Sequence, residues 1–177
     1  VKVMFSHSTD HYIRVYVTAH CGARRADHSI EKMGYVLHCF SCFHREISEG
    51  LVPHLKAKCP ECGSALKAAG PLWIGELSDR GFCSLMEKET TRRQMKNKGR
   101  ISKLLFLIKN ESGASPTYYV VDKVCDKLSL PVPSTIRVVR RFRERGFEAT
   151  LTHFNSRGVK TDASAKVVKE TITEFTT

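Results

Sequence analysis

Four cysteines, Cys39, Cys42, Cys59 and Cys62, stand in the pattern C-x2-C-x16-C-x2-C, the spacing of a four-thiolate metal site. Two residues between paired ligands let the backbone fold into a tight knuckle, and Pro60 and Gly63 in "CPECG" supply the turn chemistry for the second one. Four thiolates complete a tetrahedron and leave no position for water, so the expected zinc is structural and not catalytic; such a thiolate set also suits iron. Metal binding would fold a segment otherwise poor in core residues. A redox-active Cys-x-x-Cys explains one pair but not two at this spacing. His38 and His44 flank the first pair and offer an alternative ligand, although four thiols suffice. Cys21, Cys83 and Cys125 stand alone and read as small core residues.

The second chemical signal is charge. Lys and Arg number 29 against 18 Asp and Glu, a formal net charge of +11. "RRQMKNKGRISK" at 92–103 holds six basic and no acidic residues, and "RVVRRFRERG" at 137–146 holds five Arg and one Glu. Clustering of this kind points to a polyanionic partner, against the plainer reading of a solvated basic surface. Arg137, Arg140, Arg141 and Arg145 are the first expected phosphate contacts, and Arg92, Arg93, Lys96 and Lys98 the second. No nucleotide P-loop and no G-x-G-x-x-G fingerprint is present. His7 and His11 flank Asp10, but neighbouring residues of a strand face opposite ways, which argues against an acid–base pair. Trp73 reads as a core or interface anchor.

Composition sets the frame for these residues. With 41% hydrophobic and 27% charged residues in 177, the chain has globular proportions, and no apolar run approaches the roughly 20 residues that cross a bilayer. An odd cysteine count, with four thiols in two local pairs, suits a reducing cytoplasm. "VKVMFSHSTD" shows no secretory h-region, and the absence of an initiator Met suggests a processed chain or a piece of a longer one.

The elements that must position the sites follow from periodicity. "HYIRVYVTA" at 11–19 alternates Ile13, Val15 and Val17 with polar or aromatic residues, the pattern of a strand with one buried face. A brief helix in "RADHSIEKMG" precedes a second strand, "YVLHC", and "GPLWIGEL" at 70–77 returns the chain to a strand, so the cysteine segment, 36–69, reads as an insertion between sheet strands. A helix is expected over 79–100, stopped by Gly99, with "KLLFLI" at 103–108 leaning to helix. Ser115 before Pro116 predicts a helix start, with Tyr118, Val121, Cys125 and Leu128 on one side. Ser134 starts the next helix, which places Ile136, Val138, Val139 and Phe142 opposite the arginines and ends at Gly146. "EATLTHF" and "GVKTDA" flank a turn and predict a hairpin, giving 114–163 a winged-helix-like order, and "SAKVVKETITEF" closes the chain as a helix. The expected class is α+β: a mixed sheet with packed helices, an inserted zinc-ribbon-like segment and a winged-helix-like C-terminal part.

Three stretches, "FSHSTDHYIRVYV" at 5–17, "GPLWIGEL" at 70–77 and "THFNSRGVKTDA" at 152–163, resemble the C-terminal half of the tRNA (guanine-26-N2) dimethyltransferases. Asp10, Tyr12 and Arg14 match the first motif, Trp73 and Gly75 the second, and His153, Phe154, Gly158, Lys160, Thr161, Asp162 and Ala163 the third. The resemblance implies a chain, residues 1–177, that belongs to an enzyme using S-adenosylmethionine to methylate the exocyclic amine of a tRNA guanine, a base that must leave its stack to react. It places the cofactor-binding half, with its catalytic Asp, N-terminal to the matched region. No residue of this chain is therefore assigned a catalytic role. The matched domain is expected to contact tRNA, with Lys160 added to the RNA-binding set, and Asp10, Tyr12 and Arg14 are expected to meet the N-terminal half. With the resemblance set aside, a zinc-ribbon DNA-binding regulator is the alternative. A helix lined with Arg lacks the Asn and Gln used to read adenine, which disfavours it. A purely structural zinc-stapled partner domain is the third class, and it predicts no salt-dependent nucleic-acid binding.

Overall fold

The computed structural model describes residues 1–9 and 11–175; Asp10, expected at an interface, lies outside them. In chain order the elements are β1 (Lys2–Ser8), β2 (Ile13–Thr18), α1 (Ala23–Ile30), β3 (Met33–His38), β4 (Arg45–Glu49), β5 (Lys67–Trp73), α2 (Arg80–Arg92), α3 (Lys98–Glu111), β6 (Tyr119–Val120), α4 (Val121–Leu128), α5 (Thr135–Glu144), β7 (Ala149–Leu151), β8 (Gly158–Thr161) and α6 (Ala165–Thr173). They divide into two compact units, one of Val1, 19–75 and 163–177, the other of 2–18 and 76–162. The α+β class holds. In place of one mixed sheet, however, the described strands form three separate antiparallel sheets, β1-β2, β4-β3-β5 and β6-β8-β7.

In the first unit, β3 is the central strand. It pairs Gly34 with Glu49 of β4 and Met33 with Trp73 of β5, so the strands flanking the cysteine segment are themselves neighbours. Gly34 permits this crowding: a Cβ there would lie 2.5 Å from the Ser48 carbonyl oxygen. The buried cluster is Leu37, Cys39, Cys42, Cys59 and Leu66, with Tyr35 and Leu55 packed against it. Ser164 caps α6 by accepting a hydrogen bond from the Val167 amide at 3.4 Å.

In the second unit, the α2–α3 pair encloses Phe5 of β1 with Cys83, Leu105 and Ile108. Asp79 caps α2, its carboxylate accepting from the Phe82 amide at 2.8 Å. The expected single helix over 79–100 is broken at 93–97, and Gly99 lies in the first turn of α3 rather than at a stop. Thr90 and Thr91 bond back to the carbonyls of Met86 and Glu87, a habit that weakens a helix end. The reversal also returns Leu105 and Ile108 to Cys83, which a continuous helix would carry away. The helix expected from Ser115 starts six residues later, because Tyr119 and Val120 pair with Val159 and Gly158 of β8. Ser115 instead accepts from the Thr117 amide at 3.3 Å.

α5 matches its periodicity closely. Thr135, Val138, Val139 and Phe142 are buried, while Ile136, expected with them, is 63% exposed at the helix start. Gly146 takes φ 84° just beyond the end. The expected hairpin is present, with Ala149 opposite Thr161 and Leu151 opposite Val159. β2 is a strand, but its apolar face is not buried: Ile13, Val15 and Val17 are 76%, 53% and 50% exposed. Its sole ladder among the described residues is with β1, so no layer covers it.

Candidate metal centre, basic faces and a buried ionic network

β3 ends at His38 and delivers Cys39 into the first knuckle, where the Phe43 amide donates to the Cys39 carbonyl and the Cys39 amide to that of His44, both at 2.9 Å. The second knuckle repeats the pattern, Gly63 to Cys59 at 2.9 Å and Cys59 to Ser64 at 2.7 Å. The fifth residue of each is left-handed, Phe43 at φ 67° and Gly63 at φ 71°. Glycine adopts that conformation freely; phenylalanine does so at a cost, which the surrounding knuckle must offset.

The four sulfurs all lie within 4.8 Å of one another, with Cys39–Cys62 and Cys42–Cys59 at 3.5 Å. A zinc tetrahedron with bonds of about 2.3 Å has sulfur–sulfur edges of about 3.8 Å, so the set fits a metal of that size. Burial pushes the Cys42 thiol up to about 12, whereas hydrogen bonds from the Ser64 side chain and backbone pull Cys62 down to about 6. His44 is held by Glu61 at 3.1 Å and Glu46 at 3.6 Å, and His38 accepts from Arg45 Nε at 3.3 Å. Neither histidine joins the sulfur cluster. Of the lone cysteines, Cys83 and Cys125 are core residues as expected, while Cys21 is exposed.

The arginines of α5 divide by position. Arg137, Arg140 and Arg141 are exposed, Arg141 lying 3.4 Å from Glu144, and Arg145 is the half-buried C-cap. Arg143 is also exposed, but its Nε is engaged, donating to the Ala149 carbonyl at 2.9 Å. In the other basic stretch, Arg92 and Arg93 both pair with Glu89, at 3.0 and 3.2 Å, and Lys98 donates to the Thr91 carbonyl at 2.9 Å. Lys96 is exposed. At the β1–β2 hairpin, Arg14 lies over the Tyr12 ring, 4.8 Å from its centroid.

Lys160 is not on a basic face. Its residue is 2% exposed on β8, the middle strand of its sheet, and its Nζ lies 3.1 Å from Glu111 Oε2. Glu111, at the end of α3, also accepts from Thr152 Oγ1 at 2.8 Å, from the His153 amide at 2.6 Å and from His153 Nδ1 at 2.8 Å. Burial alone would raise the Glu111 carboxyl, but the His153 hydrogen bonds and the Lys160 charge outweigh it and hold the group below its ordinary value. Thr152, His153 and Lys160 come from the third motif; Glu111 was not singled out by sequence reasoning. It stands alone in "KNESG", and its partners lie 41 or more residues away, so no local pattern marks it. His7, on β1, is buried, and burial, Arg14 and His153 together lower its pKa.

The family described as N2,N2-dimethylguanosine tRNA methyltransferase matches residues 1–173. A tRNA (guanine(26)-N(2))-dimethyltransferase of Methanobrevibacter smithii is 38% identical over 97% of this chain and 44% of its own length. A tRNA (guanine(26)-N(2)/guanine(27)-N(2))-dimethyltransferase of Aquifex aeolicus is 34% identical over 97% of this chain and 43% of its own. The solved structure of Trm1 from Pyrococcus horikoshii with S-adenosyl-L-methionine superposes with a TM-score of 0.83 at 32% identity, over 96% of this chain and 43% of that one. The chain thus spans less than half the length of these relatives.

Proposed function

Since the chain belongs to the N2,N2-dimethylguanosine tRNA methyltransferase family, we propose that it is the tRNA-gripping part of a longer tRNA (guanine-26-N2) dimethyltransferase. That enzyme would take its methyl groups from S-adenosylmethionine held outside these residues. The carrying observation is the exposed arginine face of α5 in a chain of net charge +11. RNA helices are bound through phosphates, 2'-hydroxyls and shape, which a broad cationic face suits better than base reading does. In this reading Arg137, Arg140, Arg141 and Arg145 lead the phosphate contacts, and Arg92, Arg93, Lys96 and Lys98 add to them. Residues 114–163, with α4, α5 and the β7–β8 hairpin, serve as a winged-helix-like basic subdomain, and 36–69 as a zinc ribbon holding one structural zinc on Cys39, Cys42, Cys59 and Cys62. The β1–β2 hairpin, with Tyr12 and Arg14, meets the remainder of the longer protein, which would cover the apolar face that β2 leaves open. The working compartment is the cytoplasm.

The test is binding of this chain to unmodified tRNA and to duplex DNA across a salt series, with and without a chelator. Preference for tRNA with a steep salt slope is expected. Replacing Arg137, Arg140 and Arg141 by Ala should flatten the slope by about one for each arginine–phosphate pairing removed. Equal binding to DNA, or a slope untouched by the substitutions, would overturn the reading.

A further inference from the structure

The two cysteine knuckles share their backbone hydrogen bonds and their left-handed fifth residue, but they differ in what stands between the thiols: Pro60 and Glu61 in the second, Phe40 and Ser41 in the first. The turn itself therefore does not require an aromatic side chain, and Phe40 is 69% exposed. A lone exposed ring is ordinary on a protein surface; this one has a particular setting. The His38 ring stands against it edgewise, the centroids 4.5 Å apart at 79°. A perpendicular contact takes up at most one of the two faces of Phe40.

His38 ties that ring to a row of positive charge. It lies opposite Arg45 of β4 and Lys67 of β5, and directly opposed residues share a face of the sheet. Leu37, the residue before it, is buried in the cysteine cluster on the other face, so Arg45, His38 and Lys67 form a row on the outer one. Arg45 Nε donates to His38 Nδ1 at 3.3 Å, and Lys67 is exposed. Glu46 pairs with Leu37 on the inner face and is engaged by Lys56 and His44. On the outer face of β4, Glu49 is four residues from Arg45, about 14 Å by strand rise.

An open aromatic face beside a cationic row suits a partner that is planar at one end and anionic at the other. An apolar peptide would leave the row without a counter-charge, and inorganic phosphate would leave the ring bare. A nucleotide satisfies both. A base inside a double helix is already stacked on both faces, so the ring can take only an unpaired one.

We infer that the first knuckle binds an unpaired nucleotide of RNA, its base stacked on Phe40 and its phosphate met by Lys67 and Arg45. The inference rests on the RNA-binding reading above and deepens it: the cysteine segment gains a contact to a single-stranded position, distinct from the grip of the α5 arginines on helical phosphates.

The experiment titrates the zinc-loaded chain with unmodified tRNA, with single-stranded oligoadenylate RNA and with a blunt RNA duplex. Phe40→Ala should lose about tenfold in affinity for the first two and nothing for the duplex, with the salt slope unchanged. Phe40→Tyr should bind as the wild type does and Phe40→Leu should not, because leucine offers apolar area without a π-face. Lys67→Gln should lower the slope by about one. Amide protection of β3–β5 checks that each variant is folded, and in the wild type the Phe40 ring protons should move upfield when oligoadenylate is added. If Phe40→Ala binds tRNA as tightly as the wild type, if Phe40→Leu restores binding, if the duplex loses as much, or if the ring protons do not move, the inference fails while tRNA binding stands. If oligoadenylate binds through Phe40 and tRNA does not bind, the inference stands and the tRNA reading falls. If no RNA binds, both fall.

Discussion

In the unit built around β3, three of the five side chains in the buried cluster are cysteines, with only Leu37 and Leu66 beside them. In the unit built around α3, the cluster is Phe5, Cys83, Leu105 and Ile108; Val121, Val138, Phe142 and Val159 are also buried in that unit, and so is the Glu111 carboxylate. The first cluster is made largely of thiols, which a metal would hold together; the second unit has buried aliphatic and aromatic side chains beside its ion pair. A metal site and a buried ion network look alike as clusters of polar side chains, yet a metal would bring its own binding free energy, whereas the ion network must first offset the desolvation of its charges.

Metal removal should separate the two most sharply. Chelation, or Cys39→Ser with Cys42→Ser, is expected to abolish amide protection across β3–β5 while α2 and α3 keep theirs, since structural zinc contributes on the order of 10 kcal/mol in small domains. Hydrogen exchange read by segment checks it, and equal loss in both units would break the comparison. The next largest effect falls on the second unit. Glu111→Gln leaves Lys160 buried without its counter-charge and should cost about 3–5 kcal/mol, read as a lowered denaturation midpoint with β3–β5 protection unchanged.

Acid reports the same network more gently. Because the folded-state pKa of Glu111 lies below its ordinary 4.5, its stabilising contribution is complete above that value and drains away as pH falls through the lower one. The midpoint of the second unit should decline across that acidic range, and Glu111→Gln should remove this part of the decline. Smallest is Gly146→Ala, which forces a Cβ onto a φ of 84° with open space around it; about 1 kcal/mol of strain is expected, sensed in the second unit alone.

Local patterns in the sequence foretold what is local in the structure. The knuckles of Cys39, Cys42, Cys59 and Cys62, the buried side of α5 and its end at Gly146 each depend on residues within a turn or two. Phe43 is an exception within that class, since a left-handed phenylalanine has no sequence signature. What stayed hidden is long-range. Whether Ile13, Val15 and Val17 are covered depends on what packs above β2, which alternation alone cannot express. The break between α2 and α3 was decided by Leu105 and Ile108 returning to Cys83. Lys160 looked like one more cation until the strand it sits on proved to be central, and Glu111, its partner, is 49 positions away in a stretch with no pattern of its own.

The hairpin that β2 forms with β1 has a bearing on handling the chain. Tyr12, Ile13, Val15, Tyr16 and Val17 are each at least 40% exposed, on a strand paired along one side only among the described residues. An apolar strand with a bare edge is a template for the same strand in another copy. Concentrating these 177 residues alone should therefore drive sheet-to-sheet association. Arg14, set among those apolar residues, is expected to slow it by charge repulsion, and Arg14→Val should raise the light scattering of a concentrated sample.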